Sequence, residues 1–397
     1  MFRRDIEGLR AIAVGMVLLH HAHFLGLDGG FIGVDVFFVV SGFLITGLLL
    51  REHADNGRIS IPAFYARRAR RILPASAVVI VTTALASWYW LDPLRVREVG
   101  SDVVGSGGFF ANIVFAARAT DYLQAESAPS PLQHFWSLSV EEQFYIAWPA
   151  LLLVLLMASR GRRLPAAIAI GLISAESLVL CVLQTESSQP WAFFGLHTRA
   201  WELGVGALVA LGWSRIERAP MALRAALGWA GLITVVAAAF LLSTKVFFPG
   251  WLALLPVLGT AAVITAGDDH PRGPTVVLRN RARQWVGSRS YSLYLWHWPA
   301  LIIAEGRAGG ALSSGERIGA LLIACGAAEL SYRLVENPIR HARLFTERTR
   351  PALGLGAVLV AASILTGVLL RADGTALATE TIATLPVVPV PGDPERT

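Results

Sequence analysis

Charged residues are scarce in this sequence, and their scarcity excludes an ordinary soluble domain. They make up 16% of the 397 residues, whereas hydrophobic residues make up 54%. The mean hydropathy is +0.56. A soluble domain of this length carries a much more polar surface. The sequence therefore predicts an all-α protein that passes through the lipid bilayer several times.

Cysteine is nearly absent, which excludes sites that depend on thiols. Only Cys181 and Cys325 occur, both within apolar runs, so neither a disulfide framework nor a thiolate metal site is expected. No other spacing indicates a metal site. The first apolar run lacks a small-residue cleavage site, so we expect it to be retained as a span. The net charge of +6 comes from basic residues in short loops and follows no nucleic-acid-binding pattern.

Apolar stretches long enough to cross a membrane recur along the chain. A span needs roughly 20 residues. Basic loops such as "SRGRR" and "RHARLFTERTR" predict a cytoplasmic N-terminus and an extracytoplasmic C-terminus. The eleven predicted spans lie at about 9–26, 31–50, 74–91, 139–158, 164–184, 200–214, 224–243, 250–267, 287–304, 316–334 and 351–370.

Two segments are not expected to span. Residues 103–119 are apolar, but a span here would move three basic loops to the outside. We therefore expect residues 92–138 to lie outside or to dip into the outer leaflet, supported by protein rather than by lipid. The Pro- and Thr-rich residues 373–397 are expected to form a disordered extracytoplasmic tail or linker.

The first span, within "GLRAIAVGMVLLHHAHF", carries an arginine at one end and histidines at the other. Arg10 and His21 are eleven residues apart, which is about 16 Å of helical rise and close to three whole turns. They should share one face, with His20 rotated about 100° away. Ionisable groups within a span usually mark a function. The alternative is an arginine and a histidine that simply lie at the two membrane interfaces.

The second span, "GGFIGVDVFFVVSGFLIT", contains Asp35 just inside its outer end. A carboxylate at this depth must be paired or hydrogen-bonded. Its nearest candidate partners are the histidines of the preceding hairpin. A helix-entry aspartate favoured by the helix dipole is the alternative interpretation.

Four arginines in "FYARRARRILP" directly precede the third span. Guanidinium groups bind phosphates in fork geometry, and the cytoplasm supplies such ligands as nucleotides and coenzyme A. Positive-inside bias is the alternative explanation for a basic loop. The four residues are Arg67, Arg68, Arg70 and Arg71.

The stretch "SPLQHFWSLSVEEQFYIAWP" holds the densest polar cluster. Glu141 and Glu142 point about 100° apart on a helix, so one could orient an imidazole while the other binds an acceptor hydroxyl.

Three further sites carry ionisable groups in or near spans. His297 in "SYSLYLWHWP" is expected near the cytoplasmic face, and an aromatic belt does not explain it. Arg199 with Glu202 is predicted to be a structural ion pair, and Arg333 with Glu336 a helix-end pair.

Taken together, these stretches resemble the acyltransferase family 3 membrane proteins, which O-acylate bacterial envelope glycans. The resemblance covers about residues 3–342. It implies an acyltransferase bundle of about ten helices at 1–345, an additional transmembrane helix at 346–372 and the tail at 373–397. The family often carries an SGNH-type domain after the eleventh helix. This sequence shows the helix and the tail only, so a natural form and a truncated one both stay open.

The resemblance also implies an activity and a location. The donor would be acyl-CoA, commonly acetyl-CoA, used on the cytoplasmic side of the bacterial cytoplasmic membrane. The acceptor would be a hydroxyl of an extracytoplasmic polysaccharide, glycolipid or peptidoglycan. An SGNH-type domain or separate protein is a possible partner. No permanently bound cofactor and no metal is expected.

Roles follow for the polar residues under this resemblance. His21 is the expected general base or acyl carrier, held in position by Glu142 or Glu141. The predicted donor-binding residues are Arg10, Arg67, Arg68, Arg70, Arg71 and His297. The predicted acceptor-side residues are Asp35, His134, Ser137 and Ser139.

Two alternatives to this function stay open. The same chemistry on a small secreted metabolite would differ only in the acceptor. A transporter or flippase would perform no chemistry, although the sequence lacks the fixed repeats and paired broken helices that many transporters use.

Overall fold

The computed structural model describes residues 3–121, 128–243, 245–267 and 272–384, and within these ranges the chain contains helices and no strand. The α-helices are α1 (Arg4–His21), α2 (Gly33–Asn56), α3 (Ile61–Trp90), α4 (Pro93–Gly107), α5 (Ala111–Thr120), α6 (Phe135–Ala158), α7 (Arg163–Ser187), α8 (Gln189–Phe194), α9 (Leu196–Ile216), α10 (Met221–Leu241), α11 (Leu254–Ala266), α12 (Thr275–Leu278), α13 (Arg281–Ala308), α14 (Ser314–Ser331), α15 (Asn337–His341), α16 (Arg343–Glu347) and α17 (Thr349–Thr384). The all-α prediction is confirmed for these residues.

Within the residues that the structure describes, seven helical segments are long and apolar enough to cross a membrane. Each predicted span overlaps a helix, but not every one of these helices meets the criterion of length and hydropathy. The segment Gly250–Ala266, which contains α11, is shorter than the others, and α1, α9 and α13 carry ionisable side chains. The seven segments are Gly30–Asn56, Ile61–Trp90, Phe135–Ala158, Arg163–Ser187, Met221–Leu241, Ser314–His341 and Thr349–Leu377.

The apolar stretch at 103–119 forms a helical hairpin instead of a span. Its first arm, α4, packs along α17, and its second, α5, packs against α6 and α8. An ion pair of 2.5 Å between Arg118 and the buried Asp102 joins the two arms. Close packing on α17 needs glycine, because a Cβ on Gly107 would lie 2.8 Å from the Ser363 side chain. Protein contacts therefore support this hairpin, and neither of its helices, of 15 and 10 residues, is long enough to cross a membrane.

The last helix is longer than the sequence suggested. The predicted helix ended at residue 372 and was followed by disorder, but α17 continues to Thr384. Extra turns form because α4 and α3 supply contacts: the Trp88 indole donates to Asp373 at 2.6 Å, and Gly374 lies against the Arg97 backbone. The expected disorder is therefore wrong for residues 373–384, and residues 385–397 lie outside the described part.

Helices α2 and α9 cross at the centre of the bundle with their backbones in close contact. A Cβ on Gly42 would lie 1.9 Å from the Leu203 carbonyl oxygen, and one on Gly206 would lie 2.0 Å from the Val39 carbonyl oxygen. Only glycine permits such an approach, as in other small-residue crossings of membrane helices. This crossing fixes α2 and α9 relative to each other.

We expect Gly206→Ala to destabilise the protein by about 1–3 kcal/mol, because its methyl group forces the two backbones apart. Gly212→Ala is the matched control on the same helix, since its nearest neighbour would lie 3.7 Å away. Thermal unfolding of both variants in detergent measures the difference. Equal unfolding midpoints would contradict this account of the crossing.

Candidate active site

Two cavities lie one beyond the other along α1. The first, which we call the arginine cavity, measures about 90 Å³. The second, the histidine cavity, measures about 230 Å³. Val34 and Tyr294 line both, so these two side chains form the wall between them. The arginine cavity is bordered by Arg10, Arg68, Arg71, Glu141, Glu142 and Tyr145 among its polar residues. The histidine cavity is bordered by His20, His21, Gln133, His134, Gln189 and Trp298 among its polar and aromatic residues.

The two ends of α1 supply one group to each cavity. Arg10 borders the arginine cavity and His21 borders the histidine cavity. Eleven residues at 3.6 per turn place them on one face about 16 Å apart along the axis, as the sequence indicated. His20 also borders the histidine cavity. Its Nδ1 is hydrogen-bonded to the Leu27 carbonyl oxygen at 3.1 Å, so this nitrogen already has a partner.

Two arginines of the arginine cavity form no ion pair within the described residues, although Glu141 and Glu142 border the same cavity. Within the described residues, neither Arg68 nor Arg71 forms an ion pair, whereas Arg10 pairs with Glu7 at 3.1 Å. The Arg68 guanidinium lies 4.2 Å from the centre of the Tyr145 ring, and its buried Nε lacks a hydrogen-bond partner. Buried donors without partners are costly. This cavity is therefore suited to an anionic ligand.

The predicted cluster of four arginines divides into two pairs. Arg68 and Arg71 are about one helical turn apart and border the cavity, whereas Arg67 and Arg70 do not border it. Arg67 pairs with Glu52 at 2.6 Å, and Arg70 donates to the Phe345 carbonyl at 2.8 Å. The prediction that all four form one donor site therefore differs from the structure.

The two glutamates lie on the arginine cavity and not beside His21. Glu141 accepts a hydrogen bond from the Ser41 hydroxyl, and Glu142 borders the cavity near Arg68 and Arg71. The hydrogen-bond partner of His21 is instead His297, with Nδ1 and Nε2 2.9 Å apart. The expectation that a glutamate holds His21 is therefore wrong, because the carboxylates and the imidazole border different cavities.

His297 was expected near the cytoplasmic end of its span and in contact with the donor. It lies sixteen residues after the first residue of α13, which is about 24 Å along the axis. Its side chain is completely buried beside His21 and borders neither cavity. The expectation is corrected because α13 begins at Arg281, several residues before the apolar stretch.

The predicted acceptor-side residues separate in space. His134 borders the histidine cavity, and Ser137 borders the arginine cavity with its hydroxyl 2.7 Å from the Tyr294 hydroxyl. Ser139 borders neither cavity; it is fully buried and donates to the Phe135 carbonyl at 2.9 Å. Asp35 borders neither cavity. Of the four residues, only His134 lies on the histidine cavity.

Asp35 pairs with an arginine and not with a histidine. Arg199 lies 2.9 Å from Asp35 and 2.8 Å from Glu202, and none of the three side chains is more than 1% exposed. The expected histidine partners are wrong, whereas the predicted Arg199–Glu202 pair is confirmed. The Arg199 guanidinium also lies 5.6–5.8 Å from four aromatic rings, those of Phe38, Trp136, Phe193 and Phe248, of which the last three border the histidine cavity.

The expected pair of Arg333 with Glu336 does not form. Arg333 pairs with Glu329 at 2.5 Å, one turn away, and the Glu336 carboxylate accepts from the Ser292 hydroxyl at 2.8 Å. The segment Tyr332–Glu336 is π-helical, with hydrogen bonds between residues five apart. This changes the rotation from one residue to the next, and with it the side chains that face each other.

Comparison with known proteins decides the family. A family model described as an acyltransferase domain matches residues 3–329. The chain belongs to acyltransferase family 3. The resemblance inferred from the motifs is thereby confirmed over most of the sequence.

Curated relatives of this acyltransferase family 3 protein are named O-acetyltransferases. Peptidoglycan O-acetyltransferase OatA of Listeria monocytogenes is 34% identical over 350 residues, which cover 85% of this chain and 55% of that protein. YrhL of Bacillus subtilis, provisionally named a peptidoglycan O-acetyltransferase, is 34% identical over 84% of this chain and 54% of its own length. SACOL0978 of Staphylococcus aureus, provisionally named an O-acetyltransferase, is 31% identical over 87% and 59%.

The acyltransferase family 3 chain spans about half the length of these relatives. No solved structure matches it.

Several residues of the site were not singled out from the sequence. Tyr294 borders both cavities, and its hydroxyl lies 3.1 Å from the His134 carbonyl oxygen. Tyr294 lies three residues before His297, and residues three apart share a helix face. This spacing could have indicated that Tyr294 lies near the same site as His297. Trp298 packs on His21 with ring centres 4.5 Å apart. The aromatic composition of this stretch had suggested only a membrane-interface belt.

Proposed function

We propose that this acyltransferase family 3 protein transfers an acyl group, most simply acetyl, from cytoplasmic acyl-CoA to a hydroxyl of an extracytoplasmic envelope glycan. The name of its relative OatA, a peptidoglycan O-acetyltransferase, favours peptidoglycan among the glycan acceptors. One observation carries the proposal: the arginine cavity and the histidine cavity meet at a shared wall of Val34 and Tyr294. An anion site beside a site rich in imidazoles suits a donor with phosphates at one end and a reactive carbonyl at the other.

The arginine cavity would receive the phosphates of the donor. Arg68 and Arg71 form no ion pair in the described residues and present planar guanidinium forks, which match phosphate oxygens in pairs. Arg10, near the N-terminal end of α1, borders this cavity. With the N-terminus in the cytoplasm of a bacterial cell, the cavity would lie towards the cytoplasm, where acyl-CoA is found. The long arm of coenzyme A would then extend past Tyr294 towards His21.

The histidine cavity would hold the acceptor hydroxyl. As that oxygen attacks the thioester carbonyl, His21 takes its proton, a new C–O bond forms and the C–S bond breaks. The departing coenzyme A thiolate then takes the proton from His21. An acyl group carried first by His21 and then passed to the acceptor gives the same products. Glu141 and Glu142 would serve the donor side, where their oxygens can accept hydrogen bonds from amide groups of the coenzyme A arm.

Mass spectrometry of envelope glycans tests the function in cells. Deletion of the gene should remove acyl esters from the glycan, and the parent gene should restore them. Unchanged ester content after deletion would overturn the proposal. Loss of acylation from a secreted metabolite would identify that acceptor instead. Substrate counterflow in vesicles without consumption of acyl-CoA would identify a transporter.

We expect Arg68→Ala and Arg71→Ala each to weaken acyl-CoA binding about 10- to 100-fold, because each removes a charge-assisted hydrogen bond to phosphate. Titration of the purified protein with acyl-CoA in detergent measures this affinity. Arg67→Ala is the matched control on the same helix and should bind like the parent, since Arg67 pairs with Glu52. Parental affinity in both test variants would refute the phosphate role.

A further inference from the structure

We infer that His297 is a positioning residue that determines which nitrogen of His21 is free to act as the base. The inference rests on the proposed function, in which His21 accepts the proton of the acceptor hydroxyl. It assigns His297 to the reaction step and not to donor binding.

The hydrogen bonds of His297 fix its tautomer. Its Nδ1 lies 2.7 Å from the Tyr294 carbonyl oxygen. A carbonyl oxygen can only accept, so Nδ1 carries the hydrogen. A neutral imidazole has a single N–H, and the Nε2 of His297 is therefore an acceptor.

The tautomer of His21 follows from that of His297. The acceptor Nε2 of His297 lies 2.9 Å from Nδ1 of His21, so that Nδ1 must donate. The two ring planes differ by 10° and the ring centres are 5.2 Å apart, which is the arrangement of imidazoles joined edge to edge by an N–H···N bond. Nε2 of His21 then carries the free lone pair. It has no hydrogen-bond partner among the described residues.

The surroundings hold this arrangement in place. His297 is 0% exposed, so water does not compete for its nitrogens. Trp298 packs on the His21 ring, with centres 4.5 Å apart, and restricts its rotation. His21 borders the histidine cavity, where Nε2 can meet a hydroxyl. A base held in one tautomer needs no reorientation before it takes the proton.

A backbone carbonyl of α13 also fixes the tautomer of a second histidine, His134. Pro299 has no N–H, so the Leu295 carbonyl lacks its usual partner four residues later. Nε2 of His134 donates to that carbonyl at 3.0 Å. One stretch of α13 thus fixes the tautomers of both His134 and His297, which makes α13 the element that orients the imidazoles around the cavity.

Two substitutions of His297 test the inference. His297→Gln keeps an oxygen that can accept from His21, whereas His297→Met has similar bulk and no comparable acceptor. We expect the methionine variant to lose about 100-fold or more in kcat for acyl transfer, with an unchanged KM for acyl-CoA. The glutamine variant should stay within about tenfold of the parent.

The outcomes separate this inference from the proposed function. A methionine variant with parental kcat, equal losses in both variants, or a raised KM for acyl-CoA would each overturn the positioning role. Should the methionine variant fail to fold, the glutamine variant alone decides, because a 100-fold loss of kcat in a folded glutamine variant overturns it. Full activity of His21→Ala would instead refute His21 as the base, whereas a parent protein that consumes no acyl-CoA would refute the proposed function.

Discussion

His21→Ala should lower acyl transfer by about 10²–10⁴-fold, the usual contribution of a positioned general base. The affinity for acyl-CoA should stay at the parental value, because the arginines proposed to bind phosphate border the other cavity. Glycan acylation in cells and acyl-CoA titration of the purified variant measure these two effects separately. A loss of acyl transfer without a loss of acyl-CoA affinity is the strongest test that the arginine cavity binds the donor and that the reaction takes place in the histidine cavity.

His23→Asn provides the matched control for this variant. His23 is exposed, lies two residues after His21 and does not border the histidine cavity. Its φ of 56° is in the left-handed region, which asparagine adopts more readily than alanine does. We expect parental activity in this control. Unchanged glycan acylation by His21→Ala would end the assignment of His21 as the base.

Arg199→Met should destabilise the protein by about 3–5 kcal/mol, the typical cost of removing one partner from a buried ion pair. Arg199 is 1% exposed and lies between Asp35 and Glu202, so its loss leaves two buried carboxylates without their cation. Thermal unfolding in detergent measures the loss. The aromatic rings around Arg199 border the histidine cavity, and we therefore expect acyl transfer to fall as well.

Arg333→Met is the matched control for the buried pair. Arg333 pairs with Glu329, but its side chain is 67% exposed. Exposed pairs contribute about 0–1 kcal/mol, so this variant should unfold close to the parent. A triple variant with Arg199→Met, Asp35→Asn and Glu202→Gln should recover part of the stability, because it removes the unpaired charges. Equal unfolding midpoints for the two arginine variants would contradict the role of the buried cluster.

Helical periodicity explains what could be predicted from the sequence. The positions of the predicted spans, and the shared face of Arg10 and His21, depend on apolar length and on 3.6 residues per turn. The same rotation of 100° per residue does not divide the arginine cluster, because it places Arg67 and Arg71 only about 40° apart. The division comes from the partners that Arg67 and Arg70 find elsewhere in the fold.

Contacts between distant parts of the chain could not be predicted in this way. Asp35 pairs with Arg199, 164 residues further along, although histidines are nearer in sequence. His21 meets His297 across 276 residues, while the expected glutamates border the other cavity. Each of these pairs forms because of the way the helices pack, and no local sequence pattern predicts that packing.

The sequence by itself determined the family, the all-α class, the approximate positions of the long helices and the face of α1 that joins an arginine to a histidine. These depend on composition, motif order and helical period, all of which are local along the chain. The tertiary structure decided that α17 extends along α4, that the glutamates border the arginine cavity and that His297 bonds to His21. Those features depend on which helix faces meet, and packing sets this through contacts between residues hundreds of positions apart.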